Sequence, residues 1–309
     1  MRRTAFLVLA PAFVALAMNA QAQQPPDFSK IEVKTTNLGN NTYELEGAGG
    51  NVTVAVTKDG VIMVDGQFAP MHDKLKAAIA AITPLPVKYL INTHFHGDHT
   101  GGNAAFARDG AVVVAEINVK KRLAEGTTNG LTGAKTPPVD AAALPAKTYE
   151  SSTTVKLDGR TAKLGHPTHA HTDGDTYVYF ADANVLSTGD IFTNGRYPNI
   201  DFANGGNIKG MIAGVDTYLK IANDKTKIVP GHGPVAGKAE LQAYRVMLVA
   251  ARDRVAKLIK AGKSEQETVA ANPMADYSQK LGMNEQQTTN FTRVVYNSLK
   301  PPKMAGMKM

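Results

Sequence analysis

The 309-residue sequence contains no cysteine. Disulfide bonds are therefore excluded, and so are the thiolate ligands that many zinc sites use. The fold has to be held together by its hydrophobic core, helped by any metal that binds. A metal site in this chain must use nitrogen and oxygen donors.

The sequence also lacks a hydrophobic run of the roughly 20 residues that a membrane-spanning helix needs. The leading run, AFLVLAPAFVALA, is shorter and contains Pro11. Arg2 and Arg3 precede this run, and the small-residue sequence AQA ends at residue 22. This layout is typical of a secretory signal peptide, so we expect cleavage after residue 22, no stable membrane anchor and a periplasmic or secreted protein. The export route, Sec or twin-arginine, stays open.

Lysine and arginine residues do not form a stripe interleaved with aromatic residues. The formal net charge is +7, and loss of the signal peptide would remove two of these positive charges, Arg2 and Arg3. A charge of this size without a basic patch does not indicate a nucleic-acid partner. The basic tail, residues 301–309, is expected to be disordered.

Strand and helix patterns occur in two similar series. NVTVAVTKDGVIMVDG predicts a hairpin that turns at Asp59-Gly60, and VKYLIN, residues 87–92, predicts a buried strand. Helix-compatible segments follow each group of strands, which predicts an α/β (α+β) fold, a four-layer αββα sandwich. Residues 23–300 are expected to form one domain that ends in helices. Residues 125–148, rich in Gly, Thr, Pro and Ala, are predicted to be a surface loop.

The residues that bear chemistry are concentrated in NTHFHGDHTGG, residues 92–102. In extended geometry His94, His96 and Asp98 project to one side, because side chains alternate along a strand. A bend at Gly97 turns His99 toward a neighbouring point. Two differently directed sets of donors on one loop predict two metal ions, each needing further ligands from elsewhere.

Three later segments offer those ligands where a strand pattern gives way to a glycine-containing turn. They are His171 in HTDGD, Asp190 in STGD and His232 in PGHG. Taken singly, each is better interpreted as a hydrogen-bonding or turn residue. Together with the HxHxDH loop, they predict a completed metal centre.

This set of motifs resembles the metallo-β-lactamase superfamily from about Asn51 to Gly233. The resemblance implies the αββα sandwich, with the site on one edge of its two sheets. It also implies which side chains hold the metals: His94, His96 and His171 the first, Asp98, His99 and His232 the second, with Asp190 bridging both. Asp65 in VDG matches a position that supports the site, or else is a turn residue.

Asp190 also bears on the branch of the family. The absence of cysteine excludes the β-lactamases that carry cysteine at this position, and a strand-end aspartate resembles the glyoxalase II, lactonase and phosphodiesterase branches. The Thr-Asp-Gly after His171 matches the family motif, so His166 and His169 are interpreted as loop or supporting residues. His72 is interpreted as a surface residue.

We therefore predict a metal-dependent hydrolase of ester, lactone, thioester or amide-like bonds. Two divalent cations, with Zn²⁺ the first expectation, would share a bridging hydroxide, and Asp98 would orient it and accept its proton. Counting only Asp98, Asp190 and the hydroxide against the two cations leaves positive charge, which predicts a small anionic substrate. Arg196 and Tyr197, in FTNGRYP, are predicted to touch that substrate, Arg196 through a carboxylate.

Three alternatives stay open at this stage. β-Lactam hydrolysis is the second-ranked activity of the same site. An iron-dependent redox enzyme would use the same pocket, although no flavin domain is evident in the sequence. A protein that stores or relays metal is the third, and nitrogen and oxygen donors suit zinc, manganese and iron alike.

Overall fold

The computed structural model describes residues 26–300. The predicted signal peptide and the predicted basic tail lie outside the described residues. Between residues 26 and 300, no helix combines the length and the apolar character needed to cross a membrane.

The strands of residues 26–300 form two large sheets and one short pair. In chain order they are β1 (Lys34–Gly39), β2 (Thr42–Glu46), β3 (Val52–Val56), β4 (Val61–Val64), β5 (Val87–Ile91), β6 (Val112–Glu116), β7 (Thr127–Thr128), β8 (Lys135–Thr136), β9 (Lys147–Tyr149), β10 (Ser152–Leu157), β11 (Arg160–Gly165), β12 (Tyr177–Phe180), β13 (Val185–Ser187) and β14 (Lys227–Val229). The first sheet has the order β1-β2-β3-β4-β5-β6-β9, and the second has the order β10-β11-β12-β13-β14. Each sheet begins antiparallel and becomes parallel toward its last strands, from β4 onward in the first and between β13 and β14 in the second.

The helices follow the same division. They are α1 (His72–Ile82), α2 (Gly97–Thr100), α3 (Asn103–Arg108), α4 (Ile117–Glu125), α5 (Ile208–Ile221), α6 (Lys238–Lys260), α7 (Glu265–Ala270), α8 (Ala275–Leu281) and α9 (Glu285–Leu299). Side-chain caps fix where the last helices begin. Ser264 accepts from the N–H of Glu267 at the start of α7, and Asn284 accepts from the N–H of Gln287 at the start of α9.

Three hydrophobic cores separate four layers. One core lies between the first sheet and helices α1 and α3, and one lies between the second sheet and helices α5, α6 and α9. The third joins the inner faces of the two sheets, where Ile62 and Val64 of the first meet Leu164 and Phe180 of the second. The predicted αββα sandwich is confirmed.

Strand β4 is covered on both faces, which explains why all four of its residues are apolar. Its alternate residues Val61 and Met63 face the helix layer, whereas Ile62 and Val64 face the other sheet. All four side chains are buried, as expected for a strand covered on both faces.

The prediction of a surface loop over residues 125–148 is partly wrong. Strands β7 and β8 form an antiparallel pair there, and β9 begins at Lys147 and adds a parallel edge strand beside β6. These strands have two or three residues each, too few for hydrophobic periodicity to reveal them.

Candidate metal centre

The seven predicted ligands come together at one edge of the two sheets. The loop bearing His94 to His99 follows β5, Asp190 follows β13, and His232 follows β14. His171 lies in the turn between β11 and β12. Parallel strands end at the same edge of a sheet, so residues that directly follow them are held close together by the rigid scaffold.

The 94–99 loop does not stay extended as far as Asp98, and that part of the sequence prediction is wrong. Helix α2 begins at Gly97, and the carbonyl of His96 accepts from the N–H groups of His99 and Thr100, both at 3.0 Å. This turn separates the donors into two groups. His94 and His96 meet His171, whereas Asp98 and His99 meet His232.

The first group is an arrangement of three imidazole nitrogens and one carboxylate. Nδ1 of His96 lies 3.1 Å from Nε2 of His94 and 3.0 Å from Nε2 of His171. Asp190 completes the group, with Oδ2 at 3.8 Å from Nε2 of His171.

The second group lies on the other side of Asp190. Nε2 of His99 and Nε2 of His232 are 3.4 Å apart, and Oδ2 of Asp98 lies 3.2 Å from Nε2 of His232. Asp190 faces this group too, with Oδ1 at 3.2 Å from His99 and Oδ2 at 3.4 Å from His232. Asp190 therefore stands between both groups.

In four of the five histidines of the centre, the ring nitrogen that points outward already has a protein partner. His171 Nδ1 lies 2.9 Å from the carbonyl oxygen of Asn199, which can only accept, so this nitrogen carries the proton. His96 Nε2 likewise faces the carboxylate of Asp201 at 3.0 Å. When these rings are neutral, the nitrogens that point into the centre are therefore unprotonated, and each has a lone pair available for a metal.

Asp65 orients the other two histidines of the HxHxDH loop, His99 directly and His94 through Thr93. Its Oδ2 lies 2.8 Å from Nδ1 of His99 and accepts from the hydroxyl of Thr93 at 2.7 Å. The Thr93 oxygen in turn lies 3.0 Å from Nδ1 of His94. Asp65 has a φ of +63°, a left-handed conformation that aspartate tolerates better than most residues. The structure therefore places Asp65 in support of the site.

These contacts fit divalent cations. Lone pairs 3.0–3.4 Å apart repel one another unless a positive charge lies among them, and tetrahedral ligands about 2.0 Å from zinc are separated by roughly 3.3 Å. Oδ1 of Asp190 is buried and has no hydrogen-bond partner among residues 26–300, since His99 approaches it outside hydrogen-bonding geometry. An unpaired buried carboxylate oxygen is costly, and a cation removes that cost. The donor set fits divalent metal ions.

Two glycines make room for the ligands. A Cβ at Gly50 would lie 2.1 Å from Cε1 of His99, and a Cβ at Gly231 would lie 2.0 Å from Oδ1 of Asp190. Asn51 fixes the loop that carries His232, since its side-chain amide donates to the carbonyls of Pro230 and Gly233 at 3.0 and 2.7 Å.

The pKa values of the histidines differ between the two donor groups. Burial is the main reason why the pKa of His94 is well below its usual range and that of His171 is lowered to about 4. Burial acts in the same direction on His232, but Asp190 and Asp98 outweigh it and raise the pKa of His232 to about 9. His94 and His171 are thus neutral donors at pH 7, whereas a cation beside His232 would take the place of a proton on that ring.

Sequence reasoning missed Asp201 and the backbone carbonyl of Asn199. Their only signal was their position in the same long loop as Asp190. Asp175 was missed as well: burial raises its pKa to about 8, and Oδ2 accepts from the N–H groups of His171 and Thr172 at 2.7 and 2.9 Å. It holds the turn from which His171 projects.

The two predicted substrate residues lie in different surroundings. Tyr197 is buried, its ring stacks on Phe291 with centroids 4.2 Å apart, and its hydroxyl lies 2.8 Å from the hydroxyl of Ser278. Arg196 is exposed, and its guanidinium pairs with no carboxylate among residues 26–300. A substrate contact by either residue stays a prediction.

The remaining histidines lie outside both donor groups. His166 and His169 bond to the backbone carbonyls of Asp175 and Gly205. His72 is not a plain surface residue, because its ring packs 4.7 Å from that of Phe106 and lies near two aspartates.

Comparisons with known proteins agree with this geometry. The model of the metallo-beta-lactamase superfamily matches residues 45–249. The chain is similar to a metallo-beta-lactamase from Pontibacter korlensis, with a TM-score of 0.58 and 20% identity over 70% of this chain and 99% of that one. It is also similar to the sec-alkylsulfatase Pisa1 from Pseudomonas sp., with a TM-score of 0.63 and 15% identity over 86% of this chain and 50% of that one. At these identities the likeness shows the fold alone.

Two curated relatives match part of the chain. The 2,4-dinitroanisole O-demethylase subunit alpha of Nocardioides sp. (strain JS1661) is 31% identical over 151 residues, 47% of this chain and 42% of that protein. The hydroxyacylglutathione hydrolase of Polaromonas sp. (strain JS666 / ATCC BAA-500) is 27% identical over 169 residues, 53% of this chain and 55% of that protein. The chain thus spans about half the length of these relatives.

Proposed function

Because the chain belongs to the metallo-β-lactamase superfamily, we propose that it is a hydrolase that uses two divalent metal ions, with Zn²⁺ the first expectation. The observation that carries this proposal is Asp190, which faces three imidazoles in one donor group and two in the other. When bound, a pair of such cations acidifies water and withdraws electron density from a carbonyl or phosphoryl group.

Four protein groups hold the imidazoles in the orientation that this chemistry requires. They are Asp65, Thr93, Asn199 and Asp201, each bonded to the outward nitrogen of one ring. These contacts select the tautomer with its lone pair directed inward, so the centre is organised before the substrate arrives.

Asp98 is a partly exposed carboxylate next to the two histidines of the second group. Burial alone would raise its pKa, but His99 and His232 outweigh burial and lower the pKa of Asp98 to about 2. The carboxylate is therefore anionic at neutral pH, and its side chain is 25% exposed on the open side of the centre. We assign it the role of general base toward the attacking water.

The structure changes the charge count on which an anionic substrate was predicted. Asp65 and Asp201 each lie one hydrogen bond from a ligand, so four carboxylates face two cations. With the hydroxide counted as before, five negative charges face the four positive charges of two divalent cations, so selection of an anion has to come from residues around the centre. We retain a small anionic substrate as a proposal on the strength of Arg196.

The names of the relatives suggest which bonds to test. Two of the names refer to thioester or related acyl bonds: hydroxyacylglutathione hydrolase, and the atrochrysone carboxyl ACP thioesterase of Aspergillus fumigatus. The name 2,4-dinitroanisole O-demethylase refers to an aryl methyl ether, which is therefore included as a further bond to test. We rank lactones, esters and thioesters first and β-lactams second.

The test is a hydrolysis panel with metal-replete protein. It comprises lactones, thioesters, β-lactams, phosphodiesters and 2,4-dinitroanisole, with the bound metal measured in the same preparation. We expect turnover of at least one acyl substrate and two equivalents of zinc. Asp98→Ala should lose at least about a hundredfold in kcat, which is the usual contribution of a general base.

Asp59→Ala is the matched control, since Asp59 is an exposed aspartate in the β3–β4 turn. Its kcat should equal that of the parent protein. Stoichiometric iron with no hydrolysis would favour the redox alternative, and fully metallated protein that turns over nothing would favour metal storage or relay.

A further inference from the structure

The loop 199–204 contacts two of the three histidines in the first donor group. The carbonyl of Asn199 accepts from Nδ1 of His171 at 2.9 Å, and the N–H of Asp201 donates to the carbonyl of His171 at 2.9 Å. The carboxylate of Asp201 lies 3.0 Å from Nε2 of His96. Whatever holds this loop in place therefore acts on the first donor group.

The carboxylate of Asp201 is itself held by Asn204. Nδ2 of Asn204 lies 2.9 Å from each carboxylate oxygen of Asp201 and 3.1 Å from the carbonyl oxygen of Thr128. All three neighbours are acceptors, which identifies the nitrogen of the amide as the atom that faces them. Its two hydrogens serve the carboxylate and the carbonyl at the same time. Apart from His96, Asn204 is the one side chain of residues 26–300 that donates to this carboxylate.

Burial makes these contacts of Asn204 hard to replace. The residue is 4% exposed, so water has little access to an amide that loses its partners, and a buried donor without an acceptor is costly. The backbone of Asn204 adds a further link, because its carbonyl accepts from the N–H of Asp173 at 3.0 Å, two residues after His171. Asn204 is thus joined to the turns that carry both contacts to the first group.

The β7–β8 hairpin supports Asn204 from the other side. Thr128, whose carbonyl accepts from Asn204, ends β7. Two residues later, the backbone of Gly130 lies against the aromatic ring of Phe202. A Cβ at Gly130 would lie 2.5 Å from Cζ and 2.7 Å from Cε2 of that ring, so a larger residue would push the hairpin and the loop apart.

We infer that Asn204 is a positioning residue for His96 and that the β7–β8 hairpin keeps Asn204 in place. Asn204 holds the Asp201 carboxylate in one orientation, and Asp201 holds the hydrogen of His96 on Nε2. Nδ1 of His96 is thereby left unprotonated toward the other donors of the first group. The inference rests on the proposed function for the presence of a metal, whereas the orientation of His96 is a property of the metal-free chain.

The tautomer of His96 in metal-free protein is the direct test. Long-range proton–nitrogen NMR correlations distinguish the two ring nitrogens, and the parent protein at pH 8 should carry the hydrogen on Nε2. Asn204→Ala should give a mixture of both tautomers, because Asp201 is then free to turn away. Asn290→Ala, an exposed change on α9, should keep the single tautomer. A single Nε2 tautomer in Asn204→Ala would overturn the assigned role.

Zinc binding tests the contribution of the hairpin. Zinc is added to metal-free protein against a competing chelator, while the ring signals of His96 and His232 report the two donor groups separately. Gly130→Ala displaces the hairpin and removes no donor. It should lower the zinc affinity at His96 about tenfold, the lower end of the usual effect of losing an outer partner, and leave the affinity at His232 unchanged. Lys135→Ala, an exposed change in β8 of the same hairpin, should alter neither affinity.

The two measurements separate failure of the inference from failure of the proposed function. Parent affinity at His96 in Gly130→Ala would contradict the role of the hairpin, and equal weakening at His96 and His232 would show a general loss of structure instead of a specific link. If the parent protein bound no zinc at either histidine, the proposed function would be refuted. The tautomer of His96 would still decide the role of Asn204, since its measurement uses neither metal nor substrate.

Discussion

The carboxylate of Asp201 lies 3.0 Å from Nε2 of His96, although the two residues are 105 positions apart in the chain. This contact decides which nitrogen of His96 points into the centre. Nδ1 therefore faces His94 and His171, at 3.1 and 3.0 Å. Asp201, which belongs to no recognised motif, thus sets the orientation of His96, which belongs to the HxHxDH motif.

Replacement of Asp201 by alanine should weaken metal binding. Without the carboxylate, His96 is free to adopt the other tautomer or to rotate, and loss of such a partner typically costs 10- to 100-fold in metal affinity, so we expect a decrease of about that size. Competition with a chromophoric zinc chelator measures it. Asp224→Ala, an exposed aspartate between α5 and β14, should retain the parent affinity; equal affinities in both variants would contradict the assigned role.

Removal of metal should lower the thermal stability of the folded protein. Cations that bind only the native state stabilise it by about 4 kcal/mol at a concentration 1,000 times Kd, which for a domain of this size corresponds to roughly 10 °C in Tm. Differential scanning fluorimetry with and without a chelator gives the shift. It should persist in His169→Ala and shrink strongly in His96→Ala, and a chelator without effect on the parent protein would contradict metal binding.

Tyr197→Phe tests whether Tyr197 serves structure or substrate. The hydroxyl bonds to Ser278 and donates to the carbonyl of Met274, so its loss should lower the free energy of unfolding by about 1–2 kcal/mol. Urea denaturation measures this, and KM should not change. Tyr43→Phe is the control, because the Tyr43 hydroxyl has no hydrogen bond among the described residues. A raised KM with unchanged stability would instead support the substrate contact predicted from sequence.

Glu116, the N-cap of α4, should make stability depend on pH. Burial is the main reason why its pKa is raised to about 7, so the native state holds a proton that the unfolded state releases near pH 4.5. Native protein binds more protons between these values, and the free energy of unfolding therefore falls as pH rises from about 4.5 to 7, by up to about 3 kcal/mol.

Glu116→Gln keeps an acceptor for the N–H of Asn118 and cannot ionise. In metal-free protein this variant should lose less stability than the parent between pH 5 and pH 8 in urea denaturation. Glu125→Gln, an exposed change at the other end of the same helix, should follow the parent curve. Parallel curves for all three proteins would refute the buried proton.

Local patterns made much of the fold predictable. The hairpin of β3 and β4 follows from alternation on either side of Asp59-Gly60, and the caps at Ser264 and Asn284 depend on side chains within three residues. Strand β9 was not predictable, because its three residues are ordered by pairing with β6 and not by a pattern of their own.

The convergence of the seven candidate ligands was predictable for a different reason. HxHxDH is a dense motif, and its need for further donors identified His171, Asp190 and His232, whose placement now agrees with that need. Asp201 and Tyr197 show the limit. A lone aspartate or tyrosine in a loop has no periodic or motif signal, and its role comes entirely from what packs against it: His96 in one case and Phe291 in the other.

The separation of His99 from His232 by 133 positions has a consequence for maturation. During synthesis, His94 to His99 leave the ribosome well before β14 exists, and a cation held by them alone would lack its remaining partners. Full occupancy must wait until the second sheet has docked on the first. Stable metal binding would then depend on complete folding, since only a molecule in which both sheets have packed together brings all the donors into place.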